Sequence, residues 1–492
     1  HAPLRSTDPI LTTAYIIRNH GYLIYDTLFA MDENQKIQPQ MIDKWAISTD
    51  KLTYTFTLRD GLKWHDGQAV TAEDCIASVQ RWGKRDSMGQ KLMEYTKEMK
   101  PLDSKTFMLT LKEPYGLVLE SLGKPSSNVP FMMPKRIADT PADKDINEQI
   151  GSGPFRFVKS EFQPGVKAVY EKNIEYKPRA EKPSWVAGAK IVKVDRVEWV
   201  VIADPQTAAN ALAKGEVDFF EQPAFDLLPQ LKKAQGVLVK DHNKLGNGAW
   251  LRINWLQPPF DNVKIRQAIL HAVNQEDYLA AQIGDPDFYR TCGGFFPCGT
   301  PFGFEDGAPQ IAKQANLEKA KQLLKDGGYK GEKIVVMSPE DLKSLTPLGP
   351  VTAQALRKIG MNVELQSIDW ASVIVRRAKK DNIDNGGWHI FHTFWVGADL
   401  LNPINNAGIN TKGDGAWFGW PKDEEIEKLR DRFARETDPN KQKEIAYMIH
   451  KRAYEIVVYV PTGQYQWPYA YRSNLVGVLD APAPVFWNME KR

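Results

Sequence analysis

Alternating apolar and polar residues predict the clearest β-strand of the chain, in the segment KLTYTFTLRDG at 51–61. Every second residue from Leu52 to Leu58 is apolar, and threonines lie between them, a pattern typical of a strand with one buried face. Asp-Gly and His-Asp-Gly sequences follow and indicate turns. The next apolar-periodic segment begins after Thr71 and has acidic residues in its first turn, so we expect a helix capped by Thr71.

Further helices are predicted where apolar residues recur at three- and four-residue spacing. They lie at 208–216, 265–274, 317–329 and 423–458, the last being a pair of helices separated at Asp438-Pro439. Strand-like segments alternate with them: GPFRFVKS, VDRVEWVVI, EKIVVMS, NVELQSID and WHIFHTFW. Helices and strands mixed at this spacing predict an α/β or α+β chain.

The length and composition restrict the class of protein. A chain of 492 residues exceeds the size that one hydrophobic core usually supports, so we expect at least two lobes. Its 42% hydrophobic and 25% charged residues are ordinary for a globular protein and argue against disorder. The formal net charge is +3, with basic and acidic residues interspersed, which gives no footprint for nucleic acid. No apolar run reaches the ~18 residues of a membrane span.

The three cysteines bear on the cellular compartment. Cys75 falls in a helical pattern, where we expect a buried, inert thiol. Cys292 and Cys298 flank the tight loop TCGGFFPCG, which fits a disulfide better than a zinc site, with two free thiols as the alternative. A disulfide implies an oxidising compartment. No signal peptide is present in the segment that begins at His1, and we expect an export signal to have been cut away upstream.

We find no motif of a reaction centre. The glycines of GSGPF at 151–155 lack the lysine and hydroxyl group of a phosphate-binding loop. His389 and His392 lie three apart in a predicted strand and therefore point to opposite faces, which argues against a metal site. HExxH, GxSxG and CxxC sequences are absent. We expect no catalytic residue, metal or cofactor, and a binding protein rather than an enzyme. A carboxylate pair of the glycosidase kind stays open.

One carboxylate stands alone in an apolar and aromatic segment. This is Asp399, within FWVGADLLNP at 394–403. Burial of an unpaired charge costs several kcal/mol, so a positive group must neutralise it. That group is either Arg376 or Arg377 in an internal salt bridge, or a cation on a bound ligand.

Several segments, in order, carry a resemblance to a known family. They are YDTLFAMDENQKIQPQMIDKW, LKWHDGQAVTAEDCIAS, GSGPFRFVKS, ALAKGEVDF, NWLQPPFDNVKIRQAILHAVNQ, AKQLLKDGGY and WVGADLLNP. Together they resemble the bacterial extracellular solute-binding proteins of family 5. These are the peptide-, dipeptide- and oligopeptide-type binding proteins of ABC transporters, also called periplasmic binding protein cluster C. The match extends over nearly the whole chain.

The resemblance implies an α/β fold of two lobes that close on a cleft like a Venus flytrap. The first lobe would comprise 1–32, 150–247 and 464–492, and the second lobe 248–463. An extra subdomain of the first lobe would comprise 33–149. Closure around a ligand would be a hinge motion that excludes water.

The resemblance also implies site residues. In peptide-binding members, the aspartate that Asp399 matches pairs with the ligand's α-amine. Trp395 matches an aromatic residue of the family, and Gly397 would let the ligand backbone approach closely. Six residues before the aspartate, peptide binders often have an arginine for the ligand's carboxylate, where this chain has Thr393.

This departure leaves two alternatives. Either another cation, such as Arg18, Arg290 or Arg376, takes over the carboxylate, or the ligand has no carboxylate at that distance.

Other ligand-binding candidates come from aromatic residues near these segments. Trp417 and Trp420, in the glycine-rich loop GAWFGWP, are expected to be exposed and to stack on a ligand. Tyr15 in the first lobe, Phe296 in the cysteine loop and Tyr465 near the return to the first lobe complete the set.

The function that the resemblance implies is that of a periplasmic substrate-binding component of an ABC importer. It captures a peptide or another amine-bearing solute and delivers it to a permease in the inner membrane. We expect a monomer in the periplasm, with a lipid anchor left open. The alternatives are a non-peptide solute on the same scaffold (an opine, an aromatic compound, a saccharide or a metal chelate) and a secreted hydrolase.

Overall fold

The computed structural model describes residues 4–492. Its first 150 residues contain a four-stranded antiparallel sheet in the order β4-β5-β7-β6, covered by α2. The elements of this part are α1 (Tyr15–Ile24), β1 (Asp26–Thr27), β2 (Phe29–Met31), β3 (Ile37–Pro39), β4 (Ile42–Ile47), β5 (Thr53–Leu58), α2 (Ala72–Trp82), α3 (Ser87–Tyr95), β6 (Thr96–Pro101), β7 (Thr106–Leu111), α4 (Val118–Leu122), β8 (Phe131–Met132) and α5 (Lys135–Ala138).

The predicted strand, turn and helix of 51–82 are confirmed as β5 and α2. Alternate residues of β5 are buried, because the strand presents one face to the core. Helix α2 begins with a capping box in which Thr71 accepts from the Asp74 backbone N–H and Asp74 accepts from the Thr71 backbone N–H. This box satisfies two backbone donors at the start of the helix.

Two three-stranded sheets follow, in the orders β11-β10-β9 and β12-β20-β13. The elements up to residue 240 are β9 (Phe155–Phe157), β10 (Lys167–Lys172), β11 (Arg196–Val200), α6 (Pro205–Lys214), β12 (Phe219–Phe220), α7 (Leu228–Lys233) and β13 (Val237–Lys240). The predicted helix at 208–216 is α6, which ends at Gly215 in a left-handed conformation (φ 78°).

The largest sheet has six strands in the order β15-β19-β14-β18-β16-β17. Its elements are β14 (Asn247–Ile253), α8 (Val263–Ala272), α9 (Gln275–Gln282), β15 (Tyr289–Arg290), α10 (Leu317–Asp326), β16 (Lys333–Pro339), α11 (Leu348–Lys358), β17 (Asn362–Ile368), α12 (Trp370–Arg376), β18 (Ile390–Val396), α13 (Glu424–Arg435), α14 (Pro439–Ile456) and β19 (Val460–Tyr465). The predicted helices at 265–274, 317–329 and 423–458 are α8, α10, and the pair α13 and α14.

The chain crosses twice between this sheet and the three-stranded sheet that contains β13. It enters β14 at Asn247 and leaves β19 at Tyr465, after which β20 (Tyr469–Arg472) inserts between β12 and β13. The last strands are β21 (Leu475–Val476) and β22 (Glu490–Lys491). Asn247 pairs with both Val396 and Tyr465, so the end of β18 lies beside both crossings.

Helix α13 also contacts the segment before residue 150. The backbone N–H of Gly116 donates to the Ala434 carbonyl at 2.8 Å, and Lys91 forms an ion pair with Asp431 at 2.5 Å. The predicted lobe and subdomain limits stay a prediction, because strand pairing assigns residues to sheets and not to lobes.

The cysteines form one disulfide and one buried thiol, as predicted. Cys292 and Cys298 form the predicted disulfide, and Cys75 is buried, where burial raises the pKa of its thiol. Within residues 4–492, each helix is too short or too polar to cross a lipid bilayer.

Loss of the α2 cap should destabilise the fold. Thr71→Ala removes the side-chain oxygen that accepts from the Asp74 N–H, so we expect the free energy of unfolding to fall by about 1 kcal/mol. Denaturant unfolding measures this loss. Thr71→Ser keeps the oxygen and is the matched control; equal stability of the Ala and Ser variants would contradict the role of the cap.

Candidate ligand-binding site

The candidate site is built around Asp399, which follows β18 in a short 3₁₀ turn, Gly397–Asp399. The carboxylate is buried, with 2% of the residue exposed. The turn is fixed by backbone contacts with the first crossing segment, since the Gly397 N–H donates to the Gly246 carbonyl at 2.7 Å. Asp399 is therefore held at the place where the two crossings meet the large sheet.

Helix α1 and the loop after α4 supply the partners of this carboxylate. The Tyr15 hydroxyl donates to Oδ2 of Asp399 at 2.8 Å, and the Ser126 hydroxyl donates to the same oxygen at 3.2 Å. The Val396 N–H donates to the Tyr15 oxygen at 2.8 Å, which leaves the hydroxyl proton for Asp399. The second oxygen, Oδ1, is buried and has no hydrogen-bond partner among residues 4–492.

The nearby cations do not form an ion pair with Asp399. Arg18 donates to the Ser126 hydroxyl oxygen at 2.7 Å and to Asn19, while its guanidinium lies 4.6 Å from the centre of the Tyr15 ring. Lys124 forms a buried ion pair with Asp86. Their positive charges act on Asp399 from a distance, so they compensate the negative charge of the carboxylate only in part.

Burial dominates the electrostatics of the carboxylate. It raises the pKa of Asp399 above the ordinary 3.8, although the charges of Lys124 and Arg18, the hydrogen bond from Tyr15 and the nearby Ser127 hydroxyl act in the opposite direction. Burial, followed by the charge of Asp399, raises the pKa of the Tyr15 hydroxyl well above its ordinary range, so Tyr15 stays a proton donor. Neither Arg376 nor Arg377 forms the internal salt bridge that the sequence left open, since Arg376 donates to the Gly386 and Gly387 carbonyls and Arg377 packs on aromatic rings.

Two of the predicted aromatic residues form one surface. The Trp395 ring centroid lies 5.4 Å from that of Trp417 and 5.1 Å from that of the buried Trp250, with the rings edge to face. Both Trp395 and Trp417 are partly exposed. This arrangement leaves apolar ring area accessible four residues before Asp399.

The other predicted residues are more deeply buried. Trp420 is 5% exposed because it packs on Trp388, so the expectation of an exposed side chain is wrong for Trp420. Tyr465 is fully buried against Phe394. Phe296 is 1% exposed, and it lines a small internal cavity together with Leu400, the neighbour of Asp399.

Close packing against Leu245 explains why residue 397 is a glycine. A Cβ there would lie 2.6 Å from the Leu245 carbonyl oxygen, so the absence of a side chain lets the turn pack on the first crossing. Contact of Gly397 with a ligand stays a prediction, as do the ligand contacts of Trp395, Trp417, Trp420, Tyr15, Phe296 and Tyr465.

Thr393 stands where peptide binders often have an arginine, and two of the three arginines that could bind the carboxylate instead are hydrogen-bonded within the protein, away from Asp399. Arg290 donates to the Cys298 carbonyl and to Gln464, and so holds the disulfide loop. Arg376 donates to the carbonyls of Gly386 and Gly387 at 2.8 and 2.6 Å. Only Arg18 lies beside Asp399.

His389 and His392 are buried and form hydrogen bonds within the protein core. His389 accepts from the Val335 N–H and also contacts the Pro258 carbonyl, whereas His392 contacts the Thr352 hydroxyl. Burial lowers the pKa values of both, to about 4 and about 3. Within the described chain, the one cluster with metal-ligand spacing is Cys292, Cys298 and Glu305, and its cysteines are joined in the disulfide.

Sequence reasoning missed Ser126 and the position of Arg18. Ser126 lies 273 residues before Asp399 in a loop without periodic pattern, so no local signal places it there. The aspartate itself was visible as a lone charge in an apolar segment.

Comparisons with known proteins agree with this geometry. The family model of bacterial extracellular solute-binding proteins, family 5 (middle), matches residues 36–416. A probable peptide ABC transporter periplasmic-binding protein, y4tO of Sinorhizobium fredii, is 41% identical over 486 residues, covering 98% of this chain and 91% of the relative. The glutathione-binding protein GsiB of Pectobacterium atrosepticum is 27% identical over 395 residues, covering 79% and 72%.

Solved structures share the fold. The periplasmic binding protein DppA of Helicobacter pylori, in complex with the peptide STSA, has a TM-score of 0.81 at 23% identity, covering 100% of this chain and 97% of that one. The binding protein AgaA of Agrobacterium tumefaciens R10, in complex with agropinic acid, has a TM-score of 0.81 at 22% identity, covering 99% and 96%. The predicted periplasmic-binding-protein fold is confirmed. The chain belongs to the bacterial extracellular solute-binding proteins of family 5, which are substrate-binding components of ABC importers and not enzymes.

Proposed function

We propose that this protein captures a peptide, or another small solute with a protonated amine, at Asp399 and delivers it to an ABC permease as a periplasmic monomer. The observation that carries the proposal is the buried Oδ1 of Asp399, which has no partner among residues 4–492. A buried carboxylate oxygen requires a donor. A protonated amine supplies both the donor and the compensating charge.

The surroundings of Asp399 suit such a ligand. Tyr15 and Ser126 both bind Oδ2 and fix the orientation of the carboxylate, which leaves Oδ1 for an incoming N–H group. Because Tyr15 and Ser126 precede the first crossing and Asp399 follows β18, a ligand at this point would contact both sides of the crossings. Such bridging favours the closed arrangement in a hinge mechanism.

The names of the relatives support a peptide over the other solutes. One is described as a probable peptide-binding protein and another as a glutathione-binding protein, and both ligand types carry an α-amine. Native mass spectrometry of the freshly purified protein distinguishes the cases. A set of short peptide masses supports the proposal, whereas one defined mass without an amine would contradict it.

Asp399→Asn should abolish most of the affinity for amines without harming the fold. The change removes the charge but keeps the shape, so peptides with a free amine should bind more weakly by about 2–5 kcal/mol, roughly 30-fold or more. Isothermal titration calorimetry measures this loss. The melting temperature of the ligand-free variant should be unchanged or higher, because a buried charge has been removed.

The matched control is Asp414→Asn. Asp414 is an exposed carboxylate, with 89% of its side chain accessible, that pairs with Lys380, so the variant loses the same charge without touching the site. Equal peptide affinity in Asp399→Asn, Asp414→Asn and the parent would show that Asp399 does not bind the amine.

The affinity for amines should depend on pH in the acidic range. Burial raises the pKa of Asp399 above 3.8 in the ligand-free protein, and a bound ammonium group must lower it. Affinity should therefore fall as pH decreases through the raised pKa, with protons released on binding in that range. Calorimetry in buffers of different ionisation enthalpy measures this release, and its persistence in Asp399→Asn would assign it to another group.

The raised pKa of Asp399 also makes the stability of the folded protein depend on pH. The folded-state pKa of Asp399 exceeds the unfolded value, so this group opposes folding above the unfolded pKa, and the penalty grows until pH passes the folded pKa. A ligand amine removes the penalty, and this gain is part of the binding free energy that stabilises the folded protein.

A further inference from the structure

The loop that the Cys292–Cys298 disulfide closes is bound at each end by a glutamine side chain. At the first end, the Gln275 amide donates to the Cys292 carbonyl at 2.8 Å and accepts from the Cys292 N–H at 2.7 Å. At the second end, the Gln464 amide oxygen accepts from the Cys298 N–H at 3.0 Å. Both glutamines are buried, so protein groups must satisfy their amides.

The same Gln464 amide reaches the first crossing of the chain. Its Nε2 donates to the Leu245 carbonyl at 2.9 Å. Gly397 packs on this carbonyl, since a Cβ at residue 397 would lie 2.6 Å from the Leu245 oxygen, and Gly397 begins the 3₁₀ turn that ends at Asp399. One buried side chain therefore joins the disulfide loop, through its oxygen, to the backbone that supports the ligand site, through its nitrogen.

The disulfide loop and the Asp399 turn also meet at a small internal cavity. Cys292 and Phe296 of the loop line it together with Leu400, the residue after Asp399, and its volume is about 20 Å³. Phe296 and Leu400 are both buried. Because this cavity has room for about one water molecule, a displaced loop must displace its neighbours as well.

Reduction of the disulfide would open this loop. A dithiol attacks one sulfur of the pair, the S–S bond breaks, and two thiols remain on the protein while the dithiol is oxidised to its own disulfide. Residues 292–298 then regain backbone freedom that the closed ring withholds. When the Cys298 N–H leaves the Gln464 oxygen, the buried amide loses a partner and reorients, which weakens its hydrogen bond to Leu245.

We propose that the Cys292–Cys298 disulfide is a redox-sensitive positioning element of the ligand site, and that Gln464 transmits its state to the turn that carries Asp399. The oxidised loop holds the Gln464 amide, which in turn holds Leu245 and the turn in place. Reduction by a dithiol releases them and lowers the affinity for the solute. The inference rests on the proposed function at Asp399, because affinity for an amine-bearing solute is its first readout.

The test compares the oxidised and the open form of the parent and of two variants. The probe is a pool of di- to tetrapeptides with free amines, and calorimetry measures its affinity. Dithiothreitol opens the loop, and intact mass verifies the oxidation state. Because both cysteines are buried, the double variant Cys292→Ser/Cys298→Ser provides a second, permanently open form. We expect the open parent to bind the pool about fivefold more weakly, the effect of one lost hydrogen bond.

Gln464→Leu removes the connection and keeps the volume. It should bind the pool weakly in both states, with affinities that agree within about twofold. Gln282→Leu is the matched control, since Gln282 is also a buried glutamine, but it donates to the Ser344 carbonyl at 2.7 Å. This control should keep the full response of the parent to reduction.

Three results would overturn the inference. They are an unchanged affinity of the parent after reduction, a Gln464→Leu variant that responds as the parent does, and a Gln282→Leu variant that loses the response. Melting temperatures do not decide the question, because loss of the disulfide lowers the stability of each form. Only the dependence of affinity on the oxidation state separates positioning from general stability.

Hydrogen exchange separates this inference from the proposed function, because it requires no ligand. Reduction should speed exchange of the backbone amides of residues 397–400 in the parent and in Gln282→Leu, but not in Gln464→Leu. Faster exchange in a parent that binds no amine would contradict the role of Asp399 and keep the positioning role of Gln464. Unchanged exchange in the parent would overturn the positioning role even if the peptides bind.

Discussion

The proposed ligand site depends on one buried carboxylate in which only one oxygen accepts hydrogen bonds from residues 4–492. Asp399 is 2% exposed, and Tyr15 and Ser126 both use its Oδ2. Full burial of a charge with half of its hydrogen-bonding capacity unused is unfavourable unless the missing partner arrives from outside the chain. The rest of the structure maintains this arrangement: Gly397 packs on Leu245, Val396 orients Tyr15, and the two crossings of the chain meet at the end of β18.

The position of this carboxylate relates the fold to the transport function. Family 5 proteins must hold a solute tightly enough to capture it and must release it to a permease. A buried charge is unfavourable when the site is empty and is compensated when an amine binds. The ligand therefore binds the closed state with a different free energy from the open state. Such a difference is what a ligand needs in order to shift a conformational equilibrium. In the proposed function, Asp399 supplies this difference next to the segments that join the sheets.

Local patterns predicted the local structure. Alternation identified β5, Thr71 was recognisable as a cap, and apolar periodicity located α6 and α10. Asp399 was recognisable because a lone charge in an apolar segment demands a partner wherever the chain folds. The order of the family motifs then gave the fold, which no single element determines.

Local sequence patterns did not predict the long-range contacts. Ser126 reaches Asp399 across 273 positions. Arg377 was one of two arginines considered for an internal salt bridge, but its guanidinium packs on aromatic rings. Trp420 was expected to be exposed from its glycine-rich loop, yet Trp388 covers it. The ligand contact of Gly397 stays a prediction, but a side chain at this position would also clash with the Leu245 carbonyl, which no local pattern shows. In each case the determining atom lies on a distant element, and periodicity within a segment carries no information about it.

A crystal structure of the protein with its retained or added ligand tests the role of Asp399 most directly. The quantity to measure is the distance from Oδ1 of Asp399 to the nearest ligand atom. We expect an amine nitrogen at about 2.8 Å, with Tyr15 and Ser126 still hydrogen-bonded to Oδ2. A ligand whose amine lies elsewhere, with Oδ1 bound to water or to a protein group, would contradict it.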